Sequence, residues 1–476
     1  MIGSSRSRVG SCADAIVQGD SMTSPLTNTI TSTLSRTLTR TLTARDVAVI
    51  AGGTVIGSGI FLTPGGVLRS SGSVGVSLLV WIGGGLLTLL GALTYAELGC
   101  SRPAAGGLYA YIRDAFGPAA AFTFGWTLFV VIASGSLATL AVAAGDNVAA
   151  VMPLGAVGKK LVAVSIIAGI AVISVVGTRA SANALAVATV LKVGVLTLLI
   201  VALPLMGTGW SQVTTVWPEQ VTGPVLSGGL VAMVSVLWAY EGWQYATFVG
   251  GEVIDPQKNF PRGLVIGTCA VMAIYVLVNV GYLAALGPER LANSSAVAAD
   301  AVGAVFGPVA ARLVAIPVLI AIISAALGLT LTAARVFHSM AADGVFFAKM
   351  GEVHPRFGTP ATSIVALCTW SVVLALSGTF NTLLTYVVFV AWIFYGLGGA
   401  ALIVFRLREP DLPRPMKVPG YPVTPILFVL SALVIVVNTM IDNPQRAFVG
   451  IAATLSALPI HAIWARRSRR ERTRQR

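Results

Sequence analysis

Long apolar runs separated by short polar segments make up the chain from about residue 46 onward. A helix needs about 20 predominantly apolar residues to cross a bilayer, and most of these runs have that length. The runs are continuous, whereas the strands of a membrane β-barrel alternate apolar and polar residues over segments of ~10 residues. The pattern predicts an all-α polytopic membrane protein. Its twelve transmembrane helices are expected at approximately 46–68, 74–98, 119–145, 160–177, 184–206, 225–250, 261–286, 308–340, 361–377, 381–405, 422–438 and 446–465.

Composition and charge agree with a membrane protein. Of the 476 residues, 56% are hydrophobic and 10% are charged, whereas about 25% of residues are charged in a soluble protein. The net charge of +13 comes from the tails and alternate loops, which argues against a nucleic-acid partner. Twenty-four of the 31 basic residues lie on the side of both termini, six lie on the other side, and Lys192 lies within a span. The positive-inside rule therefore predicts a multi-pass protein of a cytoplasmic membrane with both termini cytoplasmic.

The ends of the chain differ from the spans. Residues 1–44 are rich in Ser, Thr and Arg without an apolar period, which predicts a disordered cytoplasmic tail. Residues 466–476 form a basic cytoplasmic tail, whose expected partner is membrane lipid. The four cysteines and three histidines fit no CxxC or HExxH pattern. We expect no metal, no cofactor and no catalytic residues.

The first span is interrupted at its middle by the residues Gly57-Ser58-Gly59. Two glycines around a serine favour a break in a helix, and a break at bilayer depth is tolerated only where its backbone groups face protein or a polar cavity. Carbonyls near Val55 and Ile56 would end the first half-helix and suit an ammonium group or a cation. The amides that would begin the second half-helix, and suit a carboxylate, are those of Ser58, Gly59 and Ile60. The alternative is a glycine-rich contact between closely packed helices.

The sixth span is also interrupted, by Glu241, Gly242 and Gln244. This span lies five spans after the first and must run in the opposite direction. Two broken helices so related are what an inverted repeat predicts. The expected units are repeat 1 at 45–206, repeat 2 at 222–407, and the last two helices at 420–465.

Several motifs together resemble the amino acid–polyamine–organocation superfamily, especially bacterial permeases similar to its L-type amino acid transporter branch. They occur in order and cover about residues 45–465. The matching segments are 53–61 (GTVIGSGIF), 95–98 (YAEL), 106–111 (GGLYAY), 238–243 (WAYEGW), 252–261 (EVIDPQKNFP) and 334–337 (ARVF) followed by Asp343 and Gly344. The resemblance implies a LeuT-type fold with a 5+5 inverted repeat, broken helices 1 and 6, and alternating access.

The resemblance also implies roles for particular residues. The α-carboxylate of an amino acid substrate would meet the amides around Ser58 and Gly59. Its α-ammonium would meet the carbonyls of Val55, Trp238 and Glu241, and Trp238 would be an aromatic gate. Mammalian L-type members join a heavy chain through a cysteine between helices three and four. The corresponding loop here, at about 150–160, has no cysteine, so we expect no heavy-chain disulfide partner.

Lys192 lies about eight residues into the fifth span, where a charge is costly and usually functional. It matches a family lysine whose ammonium takes the place of sodium in sodium-coupled relatives. The resemblance therefore implies a coupling role without sodium, either in proton-linked transport or in exchange. The alternative is that Lys192 snorkels to the cytoplasmic surface.

The expected function is sodium-independent transmembrane transport of L-amino acids, with neutral amino acids as the leading substrate class. Cationic or broad-range transport using Glu241 is the alternative, because a carboxylate beside the pocket could pair with a lysine or arginine side chain. Glu241 could instead be protonated or pair with an internal cation. A channel, and a sensor that binds without transport, are the rival classes. Other polar residues of the spans would line the pathway or join helices: Ser134, Ser136, Asn279, Ser324 and Tyr386.

From the sequence, we expect Gly59→Val to abolish transport while leaving membrane insertion intact. The reason is that a branched side chain would occupy the space where a carboxylate approaches the amides. Uptake of labelled amino acid, compared at equal protein levels, checks this. Normal uptake by the variant would remove this segment as the binding site.

Overall fold

The structure, a computed structural model, describes residues 40–103, 106–220 and 223–464, and for residues 178–180 and 182 the backbone alone. Within these residues the chain is helical, apart from turns and an isolated parallel bridge between Leu42 and Val253. The α-helices are α1 (Ala44–Val55), α2 (Gly59–Leu62), α3 (Pro64–Ser71), α4 (Val74–Ser101), α5 (Leu108–Phe116), α6 (Pro118–Thr127), α7 (Ala133–Ala149), α8 (Ala156–Val176), α9 (Thr178–Met206), α10 (Gly223–Ala239), α11 (Pro256–Asn293), α12 (Val297–Phe306), α13 (Pro308–Leu313), α14 (Ala315–Ala342), α15 (Ala361–Ser377), α16 (Phe380–Arg408), α17 (Val423–Asp442) and α18 (Pro444–Leu455). A π-turn (Leu128–Ile132) joins α6 to α7, and 3₁₀ helices form at Gly209–Gln212, Trp243–Glu252 and Ala348–Gly351.

In the described part of the chain, eleven helical segments are long and apolar enough to cross a membrane, judged by length and composition. The apolar α15 has 17 residues and lies at the ninth predicted span. The all-α prediction is therefore confirmed, and the count agrees with about twelve spans. Of the two predicted tails, residues 1–39 and 466–476 lie outside the described residues.

The first predicted break is present. The helix α1 begins with a capping box, in which Thr43 and Asp46 each bond the other's backbone amide. It ends at Val55, the chain bends at residues 56–58, and α2 begins at Gly59. The long apolar run is thus two half-helices separated by three non-helical residues.

The second predicted break is present as well. The helix α10 ends at Ala239, and the chain continues as a 3₁₀ helix from Trp243. Gly242 has φ 127°, a backbone conformation that residues with a Cβ rarely adopt. Glycine at this position therefore allows the chain to leave the helix at mid-span.

The two breaks pack directly against each other. A Cβ added to Gly59 would lie 2.4 Å from Cα of Ala239, at the end of α10. A Cβ added to Gly242 would lie 3.0 Å from the carbonyl carbon of Thr54 and from N of Val55, at the end of α1. Each break therefore supplies the glycine that lets the other approach.

One end of the helix bundle, here called the basic side, gathers the loops that the charge count placed together. Backbone N–H groups of Thr41 and Leu42 donate to the Glu252 carbonyl at 2.8 and 2.9 Å. Arg406 bonds the buried Glu97 carboxylate at 2.7 Å. Since α1 begins on the basic side and the 3₁₀ helix after α10 ends there, the two broken helices run in opposite directions.

The other end, here called the opposite side, is held by different contacts. Lys159 pairs with Asp146 at 2.9 Å, and the Asn147 amide donates to the carbonyl of Ala315 at 2.8 Å. These contacts join the end of α7 to the start of α8 and of α14. The two breaks lie between the basic and the opposite side.

Candidate binding site at the two helix breaks

The break between α1 and α2 leaves backbone donors free. Ile56 N still donates to the Gly52 carbonyl, and Leu62 N to that of Ser58. Between these positions, four successive amides have no acceptor in the described residues: those of Gly57, Ser58, Gly59 and Ile60. A buried donor without an acceptor costs about 1–3 kcal/mol. A run of such amides is suited to bind an anion.

Two hydroxyl groups beside these amides are also without a partner. The Ser58 hydroxyl and the Thr54 hydroxyl are buried, and neither forms a hydrogen bond within the described residues. Serine and threonine hydroxyls in a membrane helix normally bond a carbonyl one turn back, as Thr88 does with Gly84. The Ser58 hydroxyl lacks such a carbonyl because the helix is broken there. Both hydroxyls are therefore available to a ligand.

A small cavity of about 30 Å³ lies between the two breaks. Its lining residues are Thr54, Val55, Gly57, Ser58, Gly59, Ser136, Leu140, Trp238, Glu241, Tyr245, Ala325 and Leu329. Five of the predicted site residues are among them, whereas Ile56 and Ile60 contribute backbone groups nearby. The volume is about that of one water molecule in the liquid. The site is therefore closed in this conformation.

Toward the opposite side, an aromatic pair separates the cavity from a vestibule of about 870 Å³. Trp238 lines the cavity and Phe380 lines the vestibule. Their rings meet edge to face with centroids 6.3 Å apart. Trp238 is thus placed where the resemblance implied a gate, and the pair closes the route from this side.

Toward the basic side, charged groups close the route. The buried side chains of Arg335 and Glu252 form an ion pair that joins α14 to the end of the 3₁₀ helix. Nearer the surface, Asp343 accepts hydrogen bonds from Arg113 at 2.7 Å and from the Tyr109 hydroxyl at 2.9 Å. Burial first, and then the charge of Asp343, raises the pKa of Tyr109 above its ordinary value, so the hydroxyl stays a donor. The structure is therefore closed on this side by two layers of contacts.

Glu241 is bound by neutral groups. Its Oε1 atom accepts hydrogen bonds from the Tyr395 hydroxyl, from Gln244 Nε2 at 2.6 Å and from the Tyr245 hydroxyl at 3.4 Å. No ion pair to Glu241 occurs among residues that the structure describes. The prediction that Glu241 could pair with an internal cation is therefore wrong for these residues.

Lys192 is buried and reaches the first break. Its ammonium donates to the carbonyl of Gly53, to the carbonyl of Ile56 at 2.8 Å and to the Ser324 hydroxyl at 2.7 Å. The side chain is 1% exposed, so the snorkelling alternative is wrong. A fixed cation thus joins the end of α1 to α14. The neighbouring carbonyl of Val55 accepts the hydroxyl of Tyr275 at 3.0 Å.

The reason given above for the effect of Gly59→Val needs correction. The missing Cβ of Gly59 points at Ala239 rather than at open cavity. A valine would force the two broken helices apart, whether or not a ligand binds there. The close-packing alternative therefore holds for this glycine, although its free amide also belongs to the break. A test of the site needs a different residue.

The other polar residues predicted in the spans fall into two groups. Ser136 lines the cavity, and Ser324 receives Lys192. Ser134 and Asn279 bond carbonyls of their own helices, at 2.5 and 2.8 Å. Sequence reasoning missed further residues of the site, which are Thr54, Gly57, Leu140, Gln244, Tyr245, Ala325, Leu329 and Tyr395. A polar residue one turn before the break was the only signal for Thr54.

The sequence profile of a family described as "Amino acid permease" matches residues 42–461, which contain both breaks and every contact described above. The chain belongs to this family. It is 31% identical over 411 residues to the "b(0,+)-type amino acid transporter 1" of Mus musculus, covering 84% of this chain and 83% of that protein. It is 31% identical to the "Large neutral amino acids transporter small subunit 2" of Homo sapiens, covering 86% and 77%. It is also 31% identical to the "Cystine/glutamate transporter" of Homo sapiens, covering 89% and 85%.

The family assignment confirms the resemblance and the expected class of function. The protein is a multi-pass amino acid permease of the LeuT-type fold, and its relatives are amino acid transporters. The two breaks that pack together in the structure are the broken helices 1 and 6 of this fold. Transport, rather than the other classes considered, is therefore the activity to which the site must be related.

We expect Ser58→Ala to weaken substrate affinity by roughly tenfold, the size of one lost hydrogen bond to a charged group. Stability should change little, because the Ser58 hydroxyl has no partner among the described residues of the empty site. Saturation curves of amino acid uptake, together with thermal unfolding, measure both effects.

The matched control for this change is Ser371→Ala. That buried hydroxyl bonds the Leu367 carbonyl of its own helix, α15, and is remote from the cavity. An unchanged affinity in Ser58→Ala, or an equal loss in both variants, would contradict the assignment of Ser58 to the site.

Proposed function

We propose that this permease carries L-amino acids, neutral ones in the first place, across a cytoplasmic membrane by alternating access. The observation that carries the proposal is the run of free amides and the free Ser58 hydroxyl beside a closed cavity between the two breaks. These groups suit the carboxylate that all amino acids share. The permease does no chemistry on its substrate in this proposal, and needs no cofactor.

In the proposed binding mode, the α-carboxylate meets the amides of Ser58, Gly59 and Ile60. The α-ammonium meets backbone carbonyls of Val55, Trp238 and Glu241. The first two carbonyls accept Tyr275 and the Glu241 amide, and each keeps a second lone pair. An amino acid is larger than the cavity, so the loaded site must widen.

The contacts at the two ends support alternating access rather than a channel. The cavity is closed on the basic side by Arg335 with Glu252 and on the opposite side by Trp238 with Phe380. A vestibule leads in from the opposite side alone among the described cavities. The conformation therefore corresponds to an occluded state next to an outward-facing one. A sensor that binds without transport remains the second candidate, and a flux assay separates the two.

The orientation follows from charge. We place the basic side in the cytoplasm, since it carries most of the basic loop residues. The loop between α7 and α8 holds no cysteine, and we propose that the permease works without a heavy chain disulfide-linked there. One relative's name, "small subunit 2", makes this worth testing by non-reducing electrophoresis of the membrane-embedded protein.

Glu241 supports the alternative substrate class. It lines the cavity, and no charged partner for it occurs in the described structure. A carboxylate there suits an amino acid with a cationic side chain. The name "b(0,+)-type amino acid transporter 1" of one relative is compatible with a range wider than the "large neutral" one of another.

We expect uptake to be unchanged when choline replaces sodium, because the Lys192 ammonium already supplies the cation that joins α1 to α14. Lys192→Ala should cripple uptake or change its pH dependence, since the carbonyls of Gly53 and Ile56 lose their donor. Initial rates in proteoliposomes over a range of pH are the measurement.

The control is Lys160→Ala, which removes an exposed lysine bonded to the carbonyl of Leu376. A sodium-driven wild type would refute the coupling proposal. Full activity of Lys192→Ala with an unchanged pH profile would refute it as well.

We expect Glu252→Gln to open the basic side, because it leaves the Arg335 charge buried without its partner, at a cost of about 3–5 kcal/mol. A cysteine introduced at Ser339, on the basic side of this pair, should then react faster with a thiol reagent. The native cysteines are replaced for this assay.

Glu409→Gln is the matched control on the same side. Its carboxylate pairs with Arg102 and is 40% exposed, so little should change. Equal labelling rates in the two variants would show that the buried pair does not hold this side closed.

A further inference from the structure

The carboxylate of Glu241 is held at one end only. Three donors converge on its Oε1 atom: the Tyr395 hydroxyl, Gln244 Nε2 and the Tyr245 hydroxyl. The Oε2 atom has no hydrogen-bond partner among the described residues. All four side chains are buried, and Glu241 itself lines the cavity. One oxygen is thus occupied by the protein, and one is left over.

The orientation of these donors is fixed by their other bonds. Gln244 Oε1 accepts the Gly242 amide at 3.2 Å, which leaves Nε2 to donate to Glu241 and to the Tyr395 hydroxyl, each at 2.6 Å. Because Nε2 can only donate, the Tyr395 hydroxyl accepts from it and spends its single hydrogen on Glu241. Tyr395 is also held at its backbone carbonyl by the Tyr95 hydroxyl at 3.0 Å. The arrangement is closed and leaves no donor free to turn toward Oε2.

We propose that Tyr395 and Gln244 are positioning residues that present a single oxygen of Glu241 to the substrate, so that the site takes a side-chain ammonium in preference to a guanidinium. The proposal rests on the proposed function and narrows its cationic alternative. An ammonium is a compact charge that one oxygen can bind. A guanidinium gains most from two parallel bonds to both oxygens of a carboxylate, and here Oε1 is already occupied.

The first test needs no variant. Uptake of labelled leucine by wild-type protein in proteoliposomes is measured against increasing lysine or arginine. The proposal expects lysine to compete at a concentration several-fold lower than arginine. Arginine competing as well as lysine, or neither competing, would overturn it.

The second test removes the clamp. Tyr395→Phe deletes the hydroxyl from Oε1 and keeps the ring, so the carboxylate can turn and use both oxygens. We expect the lysine preference to fall by roughly tenfold, the effect of one hydrogen bond to a charged group, with leucine affinity little changed. Tyr386→Phe is the control, because that tyrosine lies on the same helix, α16, and its hydroxyl forms no hydrogen bond within the described structure.

The outcomes separate this inference from the proposed function. An unchanged lysine-to-arginine ratio in Tyr395→Phe would overturn the positioning role, and so would the same change in Tyr386→Phe. A loss of leucine affinity equal to the loss for lysine would show that Glu241 binds the α-ammonium instead. Absence of amino acid uptake and of any amino acid-induced thermal shift in the wild type would instead defeat the proposed function itself.

Discussion

The satisfaction of backbone groups at the two breaks is the constraint on which the site depends. In lipid, a non-helical segment must bond to protein or face a polar cavity. At the end of α1 the protein supplies the partners itself, since Lys192 bonds the Ile56 carbonyl and Tyr275 bonds that of Val55. At the start of α2 it supplies none among the described residues. The break is therefore complete for its acceptors and incomplete for its donors, which is the asymmetry that an anionic ligand group requires.

Close packing and ligand binding, which from the sequence were alternatives, coexist at this site. Gly59 and Gly242 let each break rest on the chain of the other. That contact brings Ser58 and Glu241, which are far apart in the sequence, to one cavity. Because a Cβ at Gly59 would meet the backbone of Ala239, the glycines act by permitting this approach. The groups that would recognise a ligand are the amides and side chains beside them.

The sequence predicts the spans and both breaks because these depend on local composition: apolar length, and glycine or charge at mid-span. The contacts of the site are not local. Lys192 meets Ser324 across 132 positions, and Tyr395 meets Glu241 across 154. Nor does periodicity show that Ser136 faces the cavity, since the π-turn Leu128–Ile132 changes the register of the helix before it. Residue patterns therefore located the two breaks, but which groups fill them follows from tertiary packing.

The two closures of the cavity differ in kind, and this bears on the mode of transport. An edge-to-face contact such as that of Trp238 with Phe380 contributes only ~0.5–1.5 kcal/mol beyond its burial. Separating the buried pair of Arg335 and Glu252 costs more unless both charges are hydrated. In the proposed cycle, the empty protein therefore opens more readily to the opposite side than to the basic side. A ligand can drive inward opening only through tighter binding to the states on that path. A carrier that crosses more readily when loaded exchanges one amino acid for another, so the asymmetry of the closures favours exchange over net uptake.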